Sequence, residues 1–245
     1  MEKPNFSNLN AIYINCTLEK SPRESHTDTL IEVSKGIMER ENVTVEKIRF
    51  IDHEVPPGTS PDMTEHGWEE DEWPELFKRI MRADILVLAT PIWLGEKSSV
   101  AKKLIERLDA MSSKTNEKGQ FIYYGKVGGC IITGNEDGIK HSSMGILYSL
   151  QHIGYTIPPQ ADCGWIGEAG PGPSYGDTEY ESEKIDPPKG FDSSFTNKNT
   201  TFMTYNLLHL ASLLKSNGGY SAYGNSSEDW KSGSRWEFKK PGAIA

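Results

Sequence analysis

"DILVLATPIWLGEKSSVAKKLIERLDAM" (84–111) is the stretch on which the fold turns. Residues 84–91 form a continuous apolar run rather than an alternating one. That pattern belongs to a strand covered on both faces, and so to a parallel sheet with helices on either side. Pro91 is expected to end the strand, and the serines at 98 and 99 introduce a helix over 98–111. Outward from this unit the pattern recurs. "LNAIYIN" (9–15) reads as a short buried strand, and from Thr27 onward Leu30, Ile31, Ser34, Ile37 and Met38 fall at helical spacing. "VTVEKIRF" (43–50) alternates as a half-buried strand, and 51–67 is a loop with three prolines. "DEWPELFKRIMRA" (71–83) is a helix with Pro74 near its first turn and Leu76, Phe77, Ile80 and Met81 on its inner face.

Towards the C-terminus, "KVGGCIITGNEDG" (126–138) is a strand running into a Gly-rich turn, and "IKHSSMGILYSLQHIG" (139–154) is the helix after it. "GYTIPPQADCGWIG" (154–167) holds a last short extended segment, and "TNKNTTFMTYNLLHLASLLKSN" (196–217) is a helix. Strand–helix alternation repeated about five times implies a doubly wound α/β domain joined by right-handed crossovers. One such domain is expected over 1–245, with a surface insertion at about 168–190 and an extended tail at 218–245. The tail aromatics Tyr220, Tyr223, Trp230, Trp236 and Phe238 are too many for a solvated tail, and are expected to pack on the domain or on a neighbouring subunit.

Bulk properties exclude several functions. Hydrophobic residues make up 36% and charged residues 25% of the 245, a globular balance. A net charge of −9 without a long basic stripe disfavours a nucleic-acid partner, whose affinity depends on neutralised phosphates. No apolar run approaches the roughly 20 residues of a membrane span, and the N-terminal residues lack a secretory pattern. Cys16, Cys130 and Cys163 are odd in number and widely spaced, which points to reduced thiols and a cytoplasmic setting. The six histidines show no metal-binding spacing, so no metal is expected.

In open α/β sheets ligands bind beyond the carboxyl ends of the strands, and three loops there carry unusual residues. The first, "NCTLEKSPRESHTDTL" (15–30), crowds Thr17, Ser25, His26 and Thr27 against the start of a helix, with Lys20 and Arg23 among them. A helix N-terminus favours an anion, which hydroxyls and the amides of Leu18 and His26 could hold. The plainer reading is capping by Ser25 or Thr27, and one cap explains one hydroxyl. Neither a Walker A sequence nor Gly-x-Gly-x-x-Gly is present. The second, "TPIWLGEKSS" (90–99), offers Pro91, Ile92, Trp93, Leu94 and Gly95 as an apolar shelf for a flat ring, although a lone tryptophan is more commonly a core or interface residue. The third, Thr133, Gly134, Asn135, Glu136, Asp137 and Gly138, turns sharply and lets backbone approach a ligand, while its polar residues would also serve an ordinary turn. One loop suits a phosphate and two suit a planar ring with polar edges. Flavin mononucleotide (FMN) has both ends, and a sheet of order 2-1-3-4-5 is one that holds it.

These residues resemble the NADPH-dependent FMN reductase family of flavodoxin-like proteins. The resemblance covers roughly 9–160 and is carried by Ser25-His26-Thr27, "ADILVLATPIWLGEKSS" and "GGCIITGNEDG". It implies a five-stranded flavodoxin-like sheet, with FMN phosphate at Thr17, Ser25, His26 and Thr27. The isoalloxazine would lie against 91–95, and Thr133 to Gly138 would line its edges. The first loop departs from the family pattern at Leu18-Glu19-Lys20, where Gly-Ser is frequent. The implied activity is hydride uptake from NAD(P)H and delivery of electrons to a small-molecule acceptor such as a flavin or quinone, with no conventional catalytic acid, base or nucleophile required; the tail aromatics, without an obvious partner, point to a homodimer or homotetramer. An FMN-binding electron carrier without NAD(P)H turnover is the alternative. A receiver domain is disfavoured, because Asp52 and Asp84 do not cluster with a second acid.

Overall fold

The computed structural model describes residues 4–135, 137–168 and 172–242. Five parallel strands, β1 (Asn10–Asn15), β2 (Thr44–Arg49), β3 (Ile85–Trp93), β5 (Val127–Gly134) and β6 (Asp162–Ile166), lie in the order β2-β1-β3-β5-β6. Counted among themselves they run 2-1-3-4-5, the flavodoxin-like order expected. The two-residue strand β4 (Glu96–Lys97) folds back antiparallel on the end of β3. A second two-stranded ribbon, β7 (Glu179–Tyr180) with β8 (Glu183–Lys184), lies in the insertion.

Both faces of the sheet are covered, as the unbroken apolar run of β3 requires. Ile12, Ile14, Leu86, Leu88 and Ile132 point into one layer. There they meet Leu76 and Phe77 of α2 (Trp73–Arg82), Leu104 and Leu108 of α3 (Ser99–Asp109) and Ile146 and Leu150 of α4 (Ile139–Ile153). The alternate residues Ala11, Tyr13, Ile85, Val87 and Ile131 meet Leu30, Ile31 and Met38 of α1 (His26–Arg40) and Met203, Leu207 and Leu208 of α5 (Ser194–Ser216). The period of two along each strand thus feeds two cores. In the second core the Tyr13 hydroxyl lies 2.7 Å from Ser34 Oγ, and Ser34 Oγ lies 2.6 Å from Thr204 Oγ1, which ties β1, α1 and α5 together. Burial pushes the Tyr13 phenol far above its usual value, so it stays protonated there.

One expected boundary needs correction. β3 does not stop at Pro91 but runs on to Trp93 before turning back into β4. The β1 ladder ends opposite Ala89, whose carbonyl accepts the Cys16 N–H at 2.8 Å. Two residues further on, Pro91 faces the same side, past the end of β1, where no neighbour needs the N–H it lacks.

The tail is also more structured than its composition suggests. Lys118 and Gln120 donate to carbonyls of Tyr220 and Ser221 at 3.0 and 2.9 Å, and the short helix α6 (Ser227–Lys231) is capped by Ser226. Tyr223, Trp230 and Phe238 stay exposed, with Trp230 and Trp236 stacked at 6.3 Å beside Arg235.

Candidate functional site

The carboxyl ends of β1, β3 and β5 open into one cavity of about 490 Å³, within the range of small-molecule sites. Its first wall is built around Asn15, a fully buried amide at the end of β1. Asn15 Oδ1 accepts the Thr17 N–H at 3.0 Å, and its Nδ2 donates to Ser25 Oγ at 3.2 Å and Asp28 Oδ1 at 3.1 Å. Ser25 is the N-cap of α1 and accepts the Asp28 N–H, so for Ser25 the capping reading holds. The cap leaves the His26 and Thr27 amides in the first turn without an intrahelical partner. The Thr17 hydroxyl, almost buried and facing the cavity, makes no hydrogen bond to another described residue.

Thr27 Oγ1 lies 2.7 Å from Thr133 Oγ1, a buried contact that locks the first loop to the third. The two cations of the first loop do not reach the cavity. Lys20 pairs with Glu54 at 3.2 Å and Arg23 with Glu19 at 3.0 Å, while Arg49 donates to the Arg23 carbonyl at 2.7 Å. Among the described residues no Lys or Arg lines this cavity. An anion there meets helix amides and hydroxyls rather than ammonium or guanidinium groups.

The second wall is the β3–β4 hairpin. Trp93 is paired with Glu96, leaving Leu94 and Gly95 as a two-residue turn with φ of +50° and +77°. Such turns favour Asn or Gly at both places, and Leu94 bears the strain while 93% exposed. Strain of this kind, of order 1–3 kcal/mol, is characteristic of functional sites. Trp93 beside it is 58% exposed, so it is not the core aromatic that the plainer reading allowed. Glu96 holds the hairpin to α4: it accepts from His141 Nε2 at 2.6 Å and pairs with Lys97 at 3.1 Å. Those contacts, the His141 one foremost, pull its carboxyl down to about 2.

The glycines of the third loop serve a purpose that the sequence did not reveal. A Cβ on Gly138, which has φ +133°, would lie 2.6 Å from the Gly95 carbonyl oxygen, and one on Gly134 would lie 2.9 Å from Ile92 Cβ. Their smallness lets the second and third loops touch each other.

Of the residues expected at the site, Thr17, Ser25, His26, Thr27, Pro91, Ile92, Trp93, Leu94, Thr133, Gly134 and Asn135 line the cavity. Leu18, Gly95, Asp137 and Gly138 do not. Leu18 is solvent-exposed, Gly95 and Gly138 form the loop–loop contact, and Asp137 lines a neighbouring cavity of about 340 Å³. Glu136 lies outside the described residues. Sequence reasoning missed Asn15, Glu19 and Glu24 of the first loop and Ser174 and Tyr175 of the insertion. Asn15 left a trace, a lone amide closing a buried apolar run; Ser174 and Tyr175 left none. Among the described residues no cluster of three potential ligands could hold a metal ion, and no helix is long and apolar enough to cross a membrane.

The NADPH-dependent FMN reductase family matches residues 10–162. The 8-demethyl-8-aminoriboflavin-5'-phosphate synthase of Streptomyces davaonensis is 38% identical over 84% of this chain and 79% of its own. A crystal structure of RosB with the bound intermediate 8-demethyl-8-formylriboflavin-5'-phosphate aligns over 95% of this chain and 90% of that one, with a TM-score of 0.79 and 35% identity. A divalent metal cation transporter, MntH, of Mycobacterium bovis is 59% identical over 86% of this chain, which spans only 30% of that protein.

Proposed function

We propose that this chain, which belongs to the NADPH-dependent FMN reductase family, is an FMN-dependent oxidoreductase that takes a hydride from NAD(P)H and passes electrons to a small-molecule acceptor such as a flavin or quinone. The observation that carries this is the cavity itself, with a helix N-terminus and an unpartnered threonine hydroxyl at one wall and an exposed tryptophan shelf at the other. That donor set fits FMN. The amides of His26 and Thr27 and the Thr17 hydroxyl would hold the phosphate. Trp93 and Leu94 would pack on the ring, with Thr133, Gly134 and Asn135 at its edge. Bound FMN would supply the redox chemistry, accepting a hydride and releasing one or two electrons. The chain's own residues bind and orient: the Thr27–Thr133 contact fixes the distance between the two ends of the site, and the Glu96–His141 pair fixes the shelf. No side chain is assigned as acid, base or nucleophile. The proposed setting is the cytoplasm, as a homodimer or homotetramer.

A second reading has specific support. The flavin-phosphate synthase covers 84% of this chain and the RosB structure 95%, so the likeness extends beyond residue 162, where the family match ends. In that reading a flavin phosphate is itself the substrate and is altered at its 8-position. The transporter name of the mycobacterial protein adds nothing here, since under a third of that protein is shared.

One assay separates the readings. The protein is incubated with FMN and NADPH or NADH, with and without a quinone, while nucleotide oxidation is followed at 340 nm and the flavin is then weighed by mass spectrometry. Acceptor-dependent oxidation with unchanged flavin mass supports the reductase. A mass change in the flavin supports the second reading. FMN binding with neither outcome leaves the electron carrier and overturns the proposal.

A further inference from the structure

Part of the insertion closes over the cavity. Residues 172–177 pass from the third loop to the first and touch both. At one end the Asn135 side chain donates to the Gly172 carbonyl. At the other, Asp177 Oδ1 lies 3.2 Å from His26 Nε2, and Asp177 Oδ2 accepts the Ser174 N–H at 2.6 Å. Between these ends Ser174 and Tyr175 line the cavity. Tyr175 is buried, edge-on to Trp165 at 5.8 Å and tilted against Phe191 at 5.4 Å, so the middle of this strap is rooted in the domain.

His26 is the residue through which the strap meets the site. The Gly176 N–H donates to His26 Nδ1, a long bond at 3.4 Å. Nδ1 is therefore the acceptor of the ring, and Nε2 carries the proton that Asp177 receives. Both ring nitrogens are taken up by the strap. The imidazole is turned away from a phosphate role, and only the His26 backbone N–H remains for the ligand. The strap also lies outside residues 10–162, where the family match ends.

Resting on the FMN reading above, we infer that Asp177 is a positioning residue of the flavin site: through His26 it latches the 172–177 strap across the cavity, and the strap sets how fast the flavin enters and leaves. The phosphate end is then covered by the Asp177 end of the strap, which must lift for exchange while buried Tyr175 keeps the middle in place, and the donors that fix affinity stay on the first loop. Loss of the latch should thus act mainly on rates, and loss of a donor mainly on affinity.

The test uses the full chain freed of flavin and reloaded with FMN, with association and release followed by stopped-flow flavin fluorescence beside an equilibrium titration. Asp177→Ala, which removes the contact to His26 together with the acceptor of the Ser174 N–H, should speed association and release together by about ten-fold, with a smaller change in Kd. Asp177→Asn, which keeps an oxygen for Nε2–H, should stay within about three-fold of the native rates. His26→Ala should reproduce Asp177→Ala, and the double variant should add little to either, as expected for two halves of one contact. Asp177 is partly exposed, and circular dichroism checks that each variant is folded. Native rates in both single alanine variants overturn the inference while leaving the FMN reading standing. Failure of the native chain to bind FMN overturns both.

Discussion

Replacing Gly138 by Ala probes the contact that holds the second and third loops together. The new Cβ would sit 2.6, 2.8 and 2.9 Å from the carbonyl oxygen, Cα and carbonyl carbon of Gly95. All three are backbone atoms, which cannot rotate away as a flexible side chain can. The residue also has φ +133°, a conformation that costs an L-residue about 1–2 kcal/mol before any clash is counted. Overpacking against backbone adds about 1–3 kcal/mol, so a total near 3 kcal/mol is expected. Gly224→Ala separates the two contributions, because Gly224 has φ +83° with nothing within 4 Å of its would-be Cβ. It should cost about 1 kcal/mol, a fall of roughly 2–4 °C in Tm for a chain of this size, against roughly 6–12 °C for Gly138→Ala. Thermal melting and FMN titration are run on both. Gly138→Ala should also weaken FMN at least ten-fold by displacing the Trp93–Leu94 turn, while Gly224→Ala leaves binding unchanged. Equal Tm losses in the two variants, with native FMN affinity in Gly138→Ala, would refute the loop-contact argument.

Other perturbations follow from the same geometry. Thr17→Ala removes a hydroxyl with no partner among the described residues, so titration should show about ten-fold weaker FMN binding with Tm unchanged; Ser25→Ala, which removes a helix cap, should instead lower stability by about 1 kcal/mol in a urea melt. Leu94→Gly relieves the positive φ and should raise Tm by roughly 2–4 °C while weakening FMN, because the shelf loses its aliphatic half. Glu96 has a folded-state carboxyl lowered to about 2, so its contribution is fully present above its ordinary value near 4.5 and fades as pH falls from there towards 2. FMN affinity measured through that window should fall more steeply in the native chain than in Glu96→Gln, which lacks the titrating carboxylate; parallel profiles would count against the Glu96–His141 clamp.

The sheet was legible because its strands carry local signals. A continuous apolar run at 84–91 and a β-branched run at 9–15 can hardly be anything but covered strands, and strand–helix alternation then limits the topology. The extension of β3 past Pro91 was not legible, since it depends on where the β1 ladder ends, a matter of register between strands some seventy residues apart. The site shows the same division. Hydroxyl crowding before α1 marked the right loop, but roles within it are set by partners the crowding does not identify: Thr133 and Asp177, both distant in sequence, occupy Thr27 and His26, and Asn15 at the loop's own start occupies Ser25. Lys20 and Arg23, which the sequence places among those hydroxyls, are taken up by Glu54 and Glu19. Of the insertion, Pro, Gly and acidic residues announced only a loop; the burial of Tyr175 between Trp165 and Phe191 is a long-range event with no local pattern.

The central claim, that this cavity holds FMN by its phosphate at the start of α1 and by its ring at Trp93, is tested most directly by one titration. The purified chain is stripped of any chromophore, and FMN and riboflavin are added to it and to Thr17→Ala in parallel. One FMN should bind per chain, with perturbed flavin absorption bands and quenched protein fluorescence. Riboflavin, which lacks the phosphate, should bind more weakly, and the loss in Thr17→Ala should be confined to FMN. Unperturbed flavin bands on adding FMN to the native chain, or equal affinity for FMN and riboflavin, would contradict it.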